Sequence, residues 1–239
     1  VSAHSTQFIV GTSGYSYREW KPGFYPEKLP AKDMLAFYAE RFATVELNST
    51  FRSMPEAAAF EAWAAQVPAS FCFAIKAPQT ITHRKRLKAT EAATDELLAA
   101  CSVLKRRQGP LLFQLPPNFK KDLPQLDAFL KHFGKRAKAA FEFRHESWFD
   151  DEVFACLRKH KVTLCIADAE DLPSPRLLAT ARFGYVRLRR DRYTAAQLKK
   201  WIERLRPLPW SEAFVYFKHD DAGEGPKLAA RFRALAEKV

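Results

Sequence analysis

With 239 residues, 47% of them hydrophobic, the chain has material for one large core or two small ones, and a fold of this size buries roughly 70–75% of its unfolded surface. No run approaches the roughly 18–20 uninterrupted apolar residues of a membrane helix, and Val1 to Gln7 lacks the basic start and apolar core of a signal peptide, so the reading is a soluble, cytoplasmic protein with no membrane partner. The net charge of +12 predicts anionic partners, with nucleic acid among them, although Lys131, Lys135, Lys159, Lys199 and Lys200 fall on predicted helix backs where a solvated face explains them.

Residues 1–7 read as a tail. Phe8 to Thr12 is a short buried strand closed by Ser13-Gly14. After it Tyr15, Tyr17, Trp20, Phe24 and Tyr25 crowd a loop, either to pack a rim or to stack on a ligand. Pro30 introduces a helix from Ala31 to Phe42. In Thr44 to Asn48, Val45 and Leu47 share one strand face while Glu46 and Asn48 share the other. Ser53 and Pro55 open a second helix with Phe60, Trp63 and Val67 as its core stripe. Phe71 to Lys76 is a third strand whose Cys72, Ala74 and Lys76 face inward. The loop Ala77 to Ala89 carries His83 and the basic run Arg84-Lys85-Arg86, and Thr90 caps a helix through Leu104 that stops at Gly109.

Leu111 to Leu115 is a fourth strand with Gln114 inward, ended by Pro116-Pro117, and a helix covers Leu126 to Phe133. Next, Phe141 and Phe143 alternate with Glu142 and Arg144 before His145 to Trp148 turn the chain into a helix capped by Asp150 or Asp151. Thr163 to Asp168 is a sixth strand, followed by a short helix from Arg176 to Thr180 capped by Ser174-Pro175. In Gly184 to Leu188, Val186 and Leu188 point outward, hence Tyr185, Arg187 and Arg189 inward. Thr194 caps a helix, Ala213 to Lys218 is an eighth strand, and Gly225-Pro226 opens the last helix. Cys72, Cys101, Cys156 and Cys165 have no Cys-x-x-Cys spacing and lie in apolar patterns, so they read as reduced, buried thiols.

Strand and helix alternate with no linker, which fits α/β architecture as a single (β/α)8 TIM barrel over residues 8–239. A doubly wound sheet is the rival. It calls for a Gly-rich phosphate turn after the first strand, and Gly11-Thr12-Ser13-Gly14 is not G-x-G-x-x-G.

Five motifs in order resemble the YecE-like family, domain of unknown function 72. They are Gly11 to Tyr17 with Trp20, Glu46-Leu47-Asn48-Ser49-Thr50-Phe51, Lys76 with Ile81-Thr82-His83, Gln114-Leu115-Pro116-Pro117, and Glu142-Phe143-Arg144-His145 with Ser147-Trp148. The resemblance spans Phe8 to Ala236 and implies a TIM barrel with no settled activity; such barrels have been likened to endonuclease IV-type nucleases. This chain departs from the family pattern in Arg52, where Tyr is usual, in Arg187-Leu188-Arg189-Arg190, where Arg-x-His-Gly is usual, and in Lys218-His219-Asp220-Asp221, where Asn-Asn or Asn-Asp is usual. Each of the last two changes makes the rim more basic.

In a barrel, Glu46, Lys76, Glu142, Arg144 and Asp168 converge on the mouth at the strand C-termini as candidate catalytic residues. Glu46 and Glu142 are candidate general acids or bases, and Lys76 is an electrostatic stabiliser or, if desolvated, a nucleophile. Candidate ligand-binding residues are Tyr15, Trp20, Asn48, His83, Gln114, Trp148, Arg187, Arg189, Lys218 and His219, with the arginines suited to a phosphorylated or other anionic small molecule. Hydrolysis or transfer are the reaction classes considered, and no cofactor is implied. Two alternatives stand: a nucleic-acid-binding protein that stacks bases on Tyr15, Tyr17 and Trp20, and a metal-dependent phosphodiesterase. The second lacks His-x-His or His-Glu-x-x-His spacing, and Lys76, Arg144 and Lys218 would repel a cation, so no metal is assigned.

Overall fold

Runs of β-branched and aromatic residues, punctuated by Gly, Pro and polar turns, fold here as parallel strands joined by helical crossovers. The computed structural model describes residues 6–54, 56–172, 176–218 and 223–238. Its strands are β1 (Gln7–Ser13), β2 (Thr44–Leu47), β3 (Cys72–Lys76), β4 (Gln108–Gln114), β5 (Ala139–Glu142), β6 (Thr163–Leu164), β7 (Ile166–Asp168), β8 (Phe183–Leu188) and β9 (Glu212–Phe217). All nine pair in parallel, in the order β6-β5-β4-β3-β2-β1-β9-β8-β7. Because β6 bonds to β5 while β7 bonds to β8, the two are halves of one stave broken at Cys165, and through it the ring comes round on itself. The α/β barrel expected from the sequence is the observed fold.

Parity then sorts the side chains into two cores. Ala74, Leu112, Ala140, Cys165, Phe183, Tyr185, Phe214 and Tyr216 fill the interior, with small residues opposite large ones as a narrow barrel requires. Their outward neighbours, such as Val45, Phe73, Phe113, Phe141 and Val186, form the larger core under the helices. The interior is layered. Phe183 and Phe214 lie toward the strand N-termini, then Tyr185 against Tyr216 at 5.3 Å between ring centroids, with the Tyr216 hydroxyl 2.8 Å from Thr44 Oγ1.

The helices are α1 (Met34–Ala39), α2 (Ala57–Ala65), α3 (Glu91–Ser102), α4 (Leu123–Phe133), α5 (Asp151–His160), α6 (Ala195–Leu205) and α7 (Glu224–Ala236). Asp150 caps α5 by accepting from Val153 N at 3.0 Å, and Thr194 with Gln197 forms a capping box on α6, as their side chains predict.

Four sequence expectations need correction. No helix forms over 176–180; instead the Thr180 hydroxyl accepts from Leu164 N and donates to Val162 O, both at 2.7 Å, so the end of the segment is tied to the sixth stave without regular structure. A single short turn repays too little of the nucleation cost to compete with those bonds. The third helix stops at Ser102 and not at Gly109, which sits in β4 where a Cβ would come within 2.7 Å of Cys72 Sγ. The first helix is shorter than Ala31 to Phe42, with a 3₁₀ turn at Ala31–Asp33 before α1. The second begins at Ala57 behind Glu56, and the proposed Pro55 start, like the Ser174-Pro175 cap, lies outside the described residues.

Gly11 is where β1 can carry no side chain. A Cβ there would sit 2.1 Å from the backbone oxygen of Thr44, and the same oxygen accepts from the Tyr38 hydroxyl, which itself accepts from Thr12 N at 2.9 Å. Since β1 must then shift away from β2, Gly11→Ala is expected to cost about 1–3 kcal/mol. Urea unfolding checks this, and a midpoint within error of the parent would show that the wall gives more than this geometry implies.

Candidate active site at the barrel mouth

The layer above the two tyrosines is charged. Arg187 on β8 is only 2% exposed, and its Nη2 donates to Glu46 Oε1 at 2.9 Å while its Nη1 donates to Glu142 Oε2 at 2.5 Å. Glu46, from β2, also accepts from Ser13 Oγ at 2.7 Å and from the Tyr185 hydroxyl at 2.7 Å. Glu142, from β5, accepts from Gln114 Nε2 at 2.6 Å and from Arg144 Nε at 3.1 Å, with Arg189 Nη1 4.0 Å away. Five strands thus deliver one network, with every carboxylate oxygen engaged.

Burial alone would raise both carboxyl pKa values. Against it, the guanidinium of Arg187, joined at Glu142 by Arg144 and Arg189, brings Glu142 down to about 2, and Arg187 with the Tyr185 and Ser13 hydrogen bonds brings Glu46 below its ordinary value. Both are therefore ionised at neutral pH, and Glu142, at about 2, is too acidic to be an efficient base there. Both accept from Arg187.

Lys76 ends β3 beside this network. Its Nζ lies 4.0 Å from the centroid of the Phe51 ring, and Thr50 Oγ1 donates to its backbone oxygen at 2.7 Å. Burial, with Arg187 and Arg144 nearby and only partial relief from Glu46 and Glu142, lowers its pKa to about 8. His83, in the π-turn Thr80–Arg84, packs edge-on to Phe51 at 4.8 Å with Nδ1 2.9 Å from Thr82 Oγ1. Burial and the Lys76 charge push its pKa down to about 4, so it is neutral.

The remaining sequence candidates divide. Asn48 is half-buried with Oδ1 lacking a hydrogen-bond partner, and Arg189 is half-buried with Nε and Nη1 in the same state, among the described residues. Lys218 is half-buried, its backbone N donating to Leu188 O at 3.3 Å; His219 lies outside the described residues. Asp168 is not part of the network. Ala167 faces the interior, so Asp168 turns outward with Ile166, accepting from Arg190 Nε at 2.7 Å and from the Tyr193 hydroxyl at 2.8 Å. Arg187, expected to bind ligand directly, is instead buried beneath the mouth as the support of two carboxylates.

Of the aromatic candidates, Trp20 and Trp148 are enclosed by packing and Tyr15 is not. Trp20 is fully buried against Tyr17 and Tyr25, and Trp148 is fully buried, stacked on Phe143 at 4.8 Å with Nε1 donating to Phe119 O at 2.7 Å. Tyr15 is half-buried against Tyr38, and Tyr17 donates to Ser13 O at 2.9 Å. Ser13 and Tyr185 touch Glu46, and Phe51 lies under Lys76; of these three only Tyr185 is placed inward by period-two alternation in the sequence.

Two other features lie away from this mouth. A cavity of about 1560 Å³ opens at the opposite end, lined by Lys138, Arg158, Lys161, Arg182, Phe183 and Trp210 among others. The network is the better site candidate because its charges are buried and converge, whereas the charged groups around that cavity, such as Lys161 and Arg182, are exposed. Asp127, Cys156 and His160 bring donor atoms within 4.8 Å of one another on α4 and α5, but Asp127 already pairs with Lys131, Lys159 and His160 at 2.8, 3.1 and 2.7 Å. No helix among the described residues is long and apolar enough to cross a membrane.

This arrangement has relatives. UPF0759 protein YunF of Bacillus subtilis (strain 168) is 29% identical over 148 residues, which are 59% of this chain and 51% of YunF. UPF0759 protein YecE of Escherichia coli (strain K12) is 33% identical over 113 residues, 47% of this chain and 42% of YecE. The chain spans about half the length of the curated relatives it matches. A crystal structure of a DUF72 family protein from Thermotoga maritima superposes with a TM-score of 0.84 at 27% identity, covering 97% of this chain and 99% of that one. Another from Enterococcus faecalis, at TM-score 0.81 and 17% identity over 97% of this chain and 96% of that one, shares the fold. The family model described as "Protein of unknown function DUF72" matches residues 9–239, nearly the whole chain, so the chain belongs to the DUF72 family.

Proposed function

We propose that the barrel mouth binds a small anionic, phosphate-bearing or carboxylate-bearing molecule, and that the site is one of hydrolysis or transfer chemistry. One observation carries this reading. Two buried carboxylates face four cations, Lys76, Arg144, Arg187 and Arg189, which leaves an excess of about two positive charges, and Arg189 keeps two buried N–H positions without hydrogen bonds among the described residues. An anion supplies both the missing charge and the missing acceptors. Arg187 preorganises the layer from below, while Arg144 and Arg189, with side chains 19% and 18% exposed, are the groups a ligand can reach. The nucleic-acid reading keeps less of its stacking platform, because Trp20 is fully buried and Tyr15 and Tyr17 are half-buried.

Phosphate or sulfate at about 100 times its dissociation constant is expected to stabilise the fold by roughly 2.7 kcal/mol, a shift that chloride at equal ionic strength does not reproduce. Thermal melts check it. Arg189→Ala should abolish the phosphate-specific shift and Lys131→Ala on α4 should keep it; equal effects of phosphate and chloride on the parent would overturn the reading.

A further inference from the structure

We propose that Lys76 is a nucleophilic amine that forms an imine with its ligand, so that the ligand class is an anionic aldehyde or ketone; this rests on the anion-binding reading above. The geometry distinguishes Lys76 from the other cations of the mouth. Arg187 and Arg144 donate directly to carboxylates, whereas Lys76 Nζ makes no hydrogen bond or ion pair among the described residues and lies over the face of Phe51. Glu46 and Glu142 accept instead from Arg187, Arg144, Ser13, Tyr185 and Gln114, and neither forms an ion pair with Lys76 Nζ. The side chain is half-buried, so the nitrogen is shielded from bulk water yet within reach of a small molecule in the mouth.

A lysine needed only as a fixed charge is better placed in a salt bridge. One needed as a free amine is better placed here, because desolvation and neighbouring guanidinium groups penalise its protonated form. With the pKa brought to about 8, roughly one Lys76 in ten is neutral at pH 7, against a few in ten thousand for an ordinary lysine. His83, held neutral at the edge of Phe51, adds no charge that would be lost or gained in the same pH range. Arg144 and Arg189 stand ready for the anionic group, which would bring a carbonyl elsewhere in the molecule toward Nζ.

The step balances without a redox partner. The neutral amine adds to the carbonyl carbon, forming a C–N bond; the carbonyl oxygen takes up the two amine protons and leaves as water, and the imine gains a proton from solvent. The resulting cation is an electron sink on the carbon skeleton of the ligand.

Pyridoxal 5′-phosphate, an aldehyde bearing a phosphate, is the probe, and pyridoxal, which lacks the phosphate, is its control. After borohydride trapping at mildly alkaline pH and peptide mass analysis, the phosphorylated probe should label Lys76 at least about 10-fold faster than it labels Lys131 or Lys159, with an inflection near pH 8. Inorganic phosphate should compete, pyridoxal should label Lys76 about 10-fold more slowly, and Lys76→Arg should lose the label. If Lys76 reacts no faster than Lys131 while phosphate still raises the melting midpoint, the imine inference fails and the anion site stands. If both probes label Lys76 selectively and equally, the amine is reactive and the anion-binding reading fails instead.

Discussion

Arg187→Met is expected to destabilise the fold by about 3–5 kcal/mol, the largest effect of any single substitution in the mouth. The cause is what it leaves behind. Glu46 and Glu142 are fully buried and each loses its shortest charged partner, so two carboxylates remain inside the barrel with hydroxyl, amide and one Arg144 donor to hold them. Removing the carboxylates together with the arginine, as Glu46→Gln, Glu142→Gln and Arg187→Met, should recover most of that cost, because neutral groups of similar shape need no counter-charge. Urea titration of the single and triple variants measures both. A single variant within about 1 kcal/mol of the parent, or a triple variant worse than the single, would mean that the network does not behave as one electrostatic unit.

The inward faces of β2, β3, β5 and β8 were legible because each strand carries an apolar partner set that fixes its parity: Val45 and Leu47 turn Glu46 inward, Phe73 and Ile75 turn Lys76 inward, and Val186 and Leu188 turn Arg187 inward. The sixth stave carries the same cue, with Leu164 and Ile166 outward and Cys165 and Ala167 inward, and it puts Asp168 on the outer face; strand-end position alone suggested the mouth, and Asp168 turns out toward Tyr193. Saturation was hidden. Arg187 meets carboxylates 141 and 45 residues away in the chain, and no local pattern states that its charge is already answered. Aromatic loops have the same ambiguity, since Trp20 and Trp148 look alike in sequence whether they pack a rim or line a pocket, and only their complete burial decides it.

Acid should destabilise the fold chiefly through the mouth. Glu142 sits at about 2 in the fold against an ordinary 4.5, so in the window between those values the unfolded chain binds more protons than the folded one. The stability contributed by its ionised form is full above pH 4.5 and is lost as the pH falls through about 2; from this group alone the loss is about 3 kcal/mol, and Glu46, also lowered, adds in the same direction. Asp127 is held low too, by Lys131, His160 and Lys159, but it lies at the surface where solvent screens the pairs, so Asp127→Asn should leave the acid limb nearly unchanged. Glu142→Gln should behave otherwise: less stable than the parent at neutral pH, it has no proton to take up there and should decline less steeply between pH 4.5 and 2. Unfolding free energies measured across that range for the three proteins separate the contributions. A Glu142→Gln limb as steep as the parent's would place the acid-labile charges elsewhere and remove the network from the account of stability.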